Sequence, residues 1–335
     1  MPQSPQTIHA ATAAIGGTDH YYEPPLDIDD LVTIARCAAL VRAAGHELPW
    51  SPEIQAGIWR LPGQHVDYRD PTDSEQTLLY LAALAFGLKG INFYMLVNRE
   101  NWELAPLEPG GLPSSTLRAV RTIVRLIERV PELGELKLVS PIALAWHPAY
   151  GRDAYAAPAG DSTRAAPHEA TVAAFSELVR SGHVPRIWDT EQAPPESVAA
   201  VVTATAAYMS HRAEDQLAQL SVRGVPVIVV GDPAVSGIAA SIDDIHPLLS
   251  ANGIEAPVRV GERDGFATLH EGSARQIVFA LNARSERRTL SLHFSSNSIA
   301  ALWPLTDDGP AIPVIDRRAR IECGPKAGRV LAVGF

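Results

Sequence analysis

A chain of 335 residues that is 46% hydrophobic and 20% charged has enough apolar residues for a substantial core, and its length suits two or three domains. A formal net charge of −10, with the arginines scattered among acids, argues against a nucleic-acid partner, which needs clustered cations. Residues Met1 to Ala14 lack the basic start and apolar core of a signal peptide. No run approaches the roughly 20 apolar residues of a membrane span, so a cytoplasmic protein without a membrane partner is expected.

In chain order, Ile8 to Gly17 reads as a buried strand, followed by the polar, aromatic loop Thr18 to Tyr22. Asp27 to Ala44 reads as a helix: acids occupy its first turn, Leu31, Ile34, Ala38 and Val41 share one face, and Gly45 stops it. Leu48 to Glu53 is a short strand. Thr72 and Glu75 have capping-box spacing at the head of a second helix, Asp73 to Phe86, and a strand from Gly90 to Val97 follows. Pro113 and Ser114 open a third helix, with Leu117, Val120, Val124 and Ile127 on its expected inner face, ending before Pro131. Three strand-then-helix units predict a parallel sheet, because parallel neighbours need a crossover. They supply less than half of an eight-unit barrel, which takes about 250 residues.

The pattern restarts with a strand from Ser140 to Trp146 and a loop rich in Ala, Gly and Pro from His147 to Pro167. Helix and strand then alternate to Val230 as in an open doubly wound domain. From Pro257 onward short β patterns predict a small antiparallel sandwich. The expected divisions are 1–134, 135–250 and 251–335. Cys37 and Cys323 read as buried free thiols.

Glu53 stands at the carboxyl end of a predicted parallel strand, where the sites of such barrels cluster. Trp59, Tyr94 and Trp102 fall near the same sheet face, and aromatic platforms with a few carboxylates suit a sugar ring with apolar faces and polar edges. Taken singly, each aromatic suits core packing better than a sugar contact. Asn92, Asn98, Glu100 and Asn101 add hydrogen-bonding groups around the next strand, and Asp19 with Tyr21 has the same double reading. The histidines show no metal-ligand spacing, no dinucleotide fingerprint follows Gly16-Gly17, and there is no nucleophile elbow, so neither metal nor cofactor is expected.

The stretch Ser51-Pro52-Glu53-Ile54-Gln55-Ala56-Gly57-Ile58-Trp59, then Asp70-Pro71-Thr72 and Gly87 to Met95, resembles the late barrel strands of β-galactosidases and exo-β-glucosaminidases of glycoside hydrolase families thirty-five and forty-two. The resemblance implies a partial (β/α)8 barrel, then a flavodoxin-like or amidotransferase-like α/β domain of the kind known as a trimerisation domain, and a small β-sandwich. It implies a retaining β-glycoside hydrolase with Glu53 as nucleophile and Asp19, Tyr21, Trp59, Asn92, Tyr94, Glu100 and Trp102 around a β-linked sugar. In the family the acid/base glutamate follows an Asn on the fourth strand, and no Asn-Glu pair precedes Glu53 here. Two partners follow from the resemblance: a complementing subunit carrying the first half of the barrel, or other copies of this chain in a trimer. A truncated, non-catalytic oligomerisation or carbohydrate-binding module is the alternative.

Overall fold

The structure is a computed structural model describing residues 15–46, 48–60, 69–99, 101–158, 161–206, 208–231, 237–262 and 264–334. Most of the strand expected from Ile8 lies outside these residues. The fold is mixed α/β and divides into two compact units: residues 17–38, 48–139 and 258–335 form one, and residues 1–16, 39–47 and 140–257 the other. No helix among the described residues is long and apolar enough to cross a membrane.

The first unit holds β2 (Leu48–Gln55) and β4 (Gly90–Tyr94), the second and third strands of an open sheet that begins with β1 (Ile15–Gly17). The pairs β3 (Ile58–Trp59) and β5 (Trp102–Glu103) lie above its carboxyl end. Three helices accompany these strands: α1 (Ile28–Ala43), α2 (Asp73–Ala85) and α3 (Leu117–Arg129). At the start of α1, the Asp27 carboxylate accepts from the backbone N–H groups of Asp29 and Asp30, satisfying donors that a helix start leaves open. Helix α2 begins with the expected capping box between Thr72 and Glu75. It is buried on every side because the sandwich covers the face that the strands do not: Phe86 packs edge-on against Phe266, and His270 bonds the carbonyl of Ala85 at 2.8 Å. Gly328 lies so near that an added Cβ would stand 3.0 Å from the Leu81 side chain.

Helix α3 differs from its expected orientation. Ala119, Val120, Ile123 and Leu126 are buried, whereas Val124 and Ile127 are 45% and 49% exposed. The helix carries two apolar stripes of the same period, and spacing alone does not say which one meets the core. The β-sandwich is antiparallel throughout, and Leu290, Leu292, Phe294, Ala319 and Ile321 of one sheet interlock with Val278, Ala280, Leu302 and Leu331 of the other. Cys323 lies in this core as a free thiol whose acidity burial weakens, pushing its pKa up to about 12.

In the second unit five parallel strands run in the order Ile238–Ala240, Val227–Gly231, Ala200–Thr205, Ile142–Trp146, Arg186–Asp189, which is 2-1-3-4-5 counted along the chain. The segment expected as a loop between His147 and Pro167 is instead helical over Pro148–Ala156 and Ser162–Arg180. Alanine gives it strong helix propensity, Pro148 occupies the first turn where no N–H is required, and Asp161 caps the second helix.

Glu75 ties the first turn of α2 to the chain before it. Its fully buried carboxylate accepts a fork from Arg69 at 2.6 and 2.8 Å and the N–H of Thr72 at 2.9 Å. Burial alone would raise its pKa, but these bonds outweigh it and hold the pKa below the ordinary 4.5. A depressed carboxyl stabilises the fold above its unfolded value and loses that contribution as pH falls through the folded value. Arg69→Gln is expected to lower the unfolding free energy at pH 7 by about 1 to 2 kcal/mol and to flatten the decline below pH 4.5 in urea titrations, because the buried carboxylate loses its partner. An unchanged acid limb would refute the role given to this pair.

Candidate functional site

The carboxyl end of β2 is irregular at the position of Glu53. Trp50 and Ser51 pair with Gly90 and Ile91, and Ile54 and Gln55 with Phe93 and Tyr94, so β2 advances three residues where β4 advances two. The extra residue falls in Pro52-Glu53, opposite Asn92. Proline has no N–H for the ladder, and a bulge re-aims the side chains around it. Three contacts pin this bulge. Asn92 Nδ2 donates to the Pro52 carbonyl at 2.8 Å, the His20 N–H donates to the Glu53 carbonyl at 2.8 Å, and the Gln55 N–H returns to the His20 carbonyl at 2.9 Å. Gly17 permits the close approach, since a Cβ there would stand 2.4 Å from the Pro52 ring.

The Glu53 carboxylate accepts a hydrogen bond from the Tyr21 hydroxyl at 2.5 Å. Burial, then the bond to Glu53 and its charge, raise the Tyr21 pKa, so the phenol stays a donor throughout the working pH range. Asp19 lies on the same side. Burial first, and the Glu53 charge second, raise its pKa, while a bond from the Glu53 backbone N–H works in the opposite direction. Beneath this layer the Gln55 side chain accepts from the Tyr22 N–H at 2.8 Å, and Tyr80 donates to the Gln55 carbonyl at 3.2 Å. His20 is buried, and desolvation drives its pKa down to about 4, so the imidazole is neutral.

Four aromatic rings join Glu53. Trp102 is the buried centre: Tyr94 meets it at 5.5 Å, Trp59 at 6.0 Å and Tyr21 at 6.5 Å between centroids. Tyr21 and Trp59 are half exposed, and the edge-on contacts of Tyr21 and Tyr94 with Trp102 leave ring faces open. Trp59 and Trp102 are partners across β3 and β5. Arg60 braces this hairpin by bonding both Asp70 and Glu103. Asn98 holds the next loop, donating to Glu108 at 2.6 Å and accepting from the Ala105 N–H at 2.6 Å.

Tyr21 thus links the Glu53 carboxylate to a cluster of rings formed with Tyr94, Trp102 and Trp59, and Asp19 lies near enough to feel the Glu53 charge. Asn92, expected at a sugar hydroxyl, uses one N–H of its amide to clamp the bulge. Glu100 lies outside the described residues. Gln55 and Gly57 stand in the motif quoted from the sequence without a role of their own: a Cβ on Gly57 would fall 2.4 Å from Trp102 Nε1, and Gln55 accepts from the Tyr22 N–H. Arg60, which braces the hairpin, carried no signal in the sequence. No trio of metal-binding side chains occurs among the described residues. Chemically, the site offers one carboxylate fixed by a permanent donor, beside an aromatic wall.

No family model matches the sequence, and no curated protein matches it. Solved structures are similar in fold. A catalytic mutant of a GH42 β-galactosidase from G. stearothermophilus matches with a TM-score of 0.74 and 10% identity, over 95% of this chain and 59% of that one. A β-galactosidase from Bacillus circulans sp. alkalophilus matches with a TM-score of 0.72 and 9% identity, over 95% and 60%. A rhamnosidase from Novosphingobium sp. PP1Y gives 0.59 and 13%, over 95% and 34%. The fold is therefore like that of GH42 β-galactosidases, and the chain spans about three fifths of their length.

Gly57→Ala is expected to push the Trp102 indole out of place, changing the tryptophan near-UV circular dichroism and lowering the unfolding free energy by about 1 to 3 kcal/mol. An unchanged spectrum and stability in Gly57→Ala would refute the packing role assigned to this glycine.

Proposed function

We propose that this chain contributes the nucleophile half of a retaining β-glycoside hydrolase site, acting on β-galactosides. The observation that carries this reading is the Glu53 carboxylate on its pinned bulge, bonded by Tyr21 and walled by Tyr94, Trp102 and Trp59. Three parallel strands, β1, β2 and β4, stand as late strands of an eight-stranded barrel, and the 2-1-3-4-5 sheet as the trimerisation-type domain of a homo-oligomer. The exposed apolar stripe of α3, Val124 and Ile127, is then the face a neighbouring barrel helix covers.

In this mechanism a Glu53 oxygen attacks the anomeric carbon as the glycosidic C–O bond breaks, giving a glycosyl ester. Tyr21 orients the attacking carboxylate by donating to its other oxygen. Water then attacks the same carbon, frees the sugar with retained configuration and releases its proton. A retaining site needs a second carboxyl roughly 5 to 5.5 Å away to protonate the leaving oxygen, and we assign that group to a complementing first half of the barrel. Asp19 leans on the nucleophile's own backbone and is not given this task.

A second reading is a non-catalytic oligomerisation or carbohydrate-binding module, favoured by the carboxyl group described beside Glu53, that of Asp19, being bonded to the Glu53 backbone. Leaving-group chemistry separates the two. A dinitrophenyl β-galactoside departs without a proton, so the chain should hydrolyse it while leaving alkyl galactosides about 10² to 10⁴-fold slower than an acid-assisted enzyme would. An activated 2-fluoro-galactoside should label Glu53, detected by peptide mass, and Glu53→Ala should abolish both signals. A folded chain that neither turns over nor becomes labelled would leave the non-catalytic reading standing.

A further inference from the structure

The β-sandwich carries a cationic row that the glycosidase reading does not use. On the three-stranded sheet the inward residues Val258, Leu290, Leu292, Phe294, Ala319 and Ile321 fill the core, so the alternate residues point outward. The register sets Arg259 directly beside His293, and His293 directly beside Arg318, in one row across all three strands. Arg320 follows two residues along the same strand, opposite Ser291. Arg318 and Arg320 are exposed, and Arg259 and His293 are half-buried.

Arg259 and Arg318 flank His293 in this row and Arg320 follows on the same face, so three guanidinium groups are gathered where an anion would relieve their repulsion. Burial and the two arginines lower the His293 pKa, and Glu262 opposes them only in part. Glu322 is bonded by the Thr289 hydroxyl at 2.5 Å, and Glu262 accepts the Ser291 N–H at 3.3 Å. Among the described residues no carboxylate forms an ion pair with Arg259, Arg318 or Arg320. The two flanking strands put Arg259 and Arg318 about 10 Å apart, and Arg318 and Arg320 lie about 7 Å apart along one strand. This is the scale on which charged groups repeat along an acidic glycan.

We propose that the outward face formed by Arg259, His293, Arg318 and Arg320 binds an anionic polysaccharide through its sulfate or carboxylate groups. Guanidinium forks match both groups in shape and charge. Four basic side chains on a chain of net charge −10 are too few to hold the dense phosphate ladder of nucleic acid. The outward positions between them, Thr289, Ser291 and Gly261, are small or polar, and the exposed Ile315 paired with Arg318 is one apolar side chain, too little area to hold a lipid surface. The anion site stands on the sheet register alone; the choice of a glycan over other polyanions rests on the glycosidase reading.

The test is affinity electrophoresis and calorimetry of the full chain with dextran sulfate, polygalacturonate and neutral dextran at 0.05 and 0.15 M salt. Binding is expected to dextran sulfate and polygalacturonate and not to dextran, weakening with salt. It should fall at least about tenfold when Arg259, Arg318 and Arg320 are all changed to Gln. Arg212→Gln, on the other unit, should bind like the wild type, and Arg318→Lys, which keeps the charge and loses the fork, should bind between the wild type and the triple variant. Loss in the triple variant while dinitrophenyl galactoside turnover or Glu53 labelling is unchanged supports a separate site. Glycan binding that depends on the arginines, in a chain without any turnover, supports this proposal and counts only against the catalytic one. Three results would overturn it: no preference for charged over neutral dextran, undiminished binding in the triple variant, or duplex DNA or phosphatidylglycerol vesicles binding as tightly with the same arginine dependence.

Discussion

The candidate site depends on one irregularity, the extra residue that β2 carries at Pro52-Glu53. A regular strand alternates its side chains and would give every neighbour of Ser51 a fixed side. The bulge breaks that alternation at the one carboxylate that matters, and the surrounding residues work to hold it. Asn92 takes up the Pro52 carbonyl, His20 spans Glu53 and Gln55 through its backbone, and Gly17 leaves space for the proline ring. The direction of Glu53 is therefore set by backbone hydrogen bonds, and Tyr21 has only to fix the carboxylate at its end.

This arrangement rests on a layer beneath it. Helix α2 follows β2 and is buried on all sides, because the sandwich strands close over the face that the parallel strands leave free. A helix apolar all round is stable only when both faces are covered. Its start is fixed by the Thr72-Glu75 box and Arg69, and Arg60 holds Asp70, in the same approach, to the hairpin that presents Trp59 and Trp102. The motif Asp70-Pro71-Thr72 is thus a structural link between the helix start and the aromatic wall, and touches neither ring nor carboxylate.

Helix and strand identities were largely legible in the sequence, because periodicity and caps are local. The acidic start of α1, the capping box of α2 and the strand Gln276–Asn282 all appear as read. Orientation was less legible. Helix α3 has two apolar stripes and only the fold selects between Ile123 and Val124. The Ala-rich stretch after His147 reads as a loop when its prolines are counted first, yet Pro148 stands where a helix tolerates it. At the site, the residue types were legible and their duties were not. Asn92 has the composition of a sugar ligand and the geometry of a bulge clamp, and a bulge is a relation between two strands that neither strand's sequence contains.

The electrostatics around Glu53 follow from the same placement. Two carboxyl groups on adjacent strand ends repel each other, and the protein places the cost on Asp19, whose pKa burial and the Glu53 charge both raise. Tyr21 answers on the other side with a proton it does not give up, since burial and the carboxylate both oppose its ionisation. His20, directly behind, is kept neutral by desolvation and adds no compensating positive charge. The result is an anion held by hydrogen bonds rather than by an ion pair. A nucleophile clamped by arginine or lysine would lose that attraction as its charge passes to the sugar, which raises the barrier. A carboxylate held by a phenol loses less on bonding to carbon, which is the feature of this site that the proposed nucleophilic role draws on.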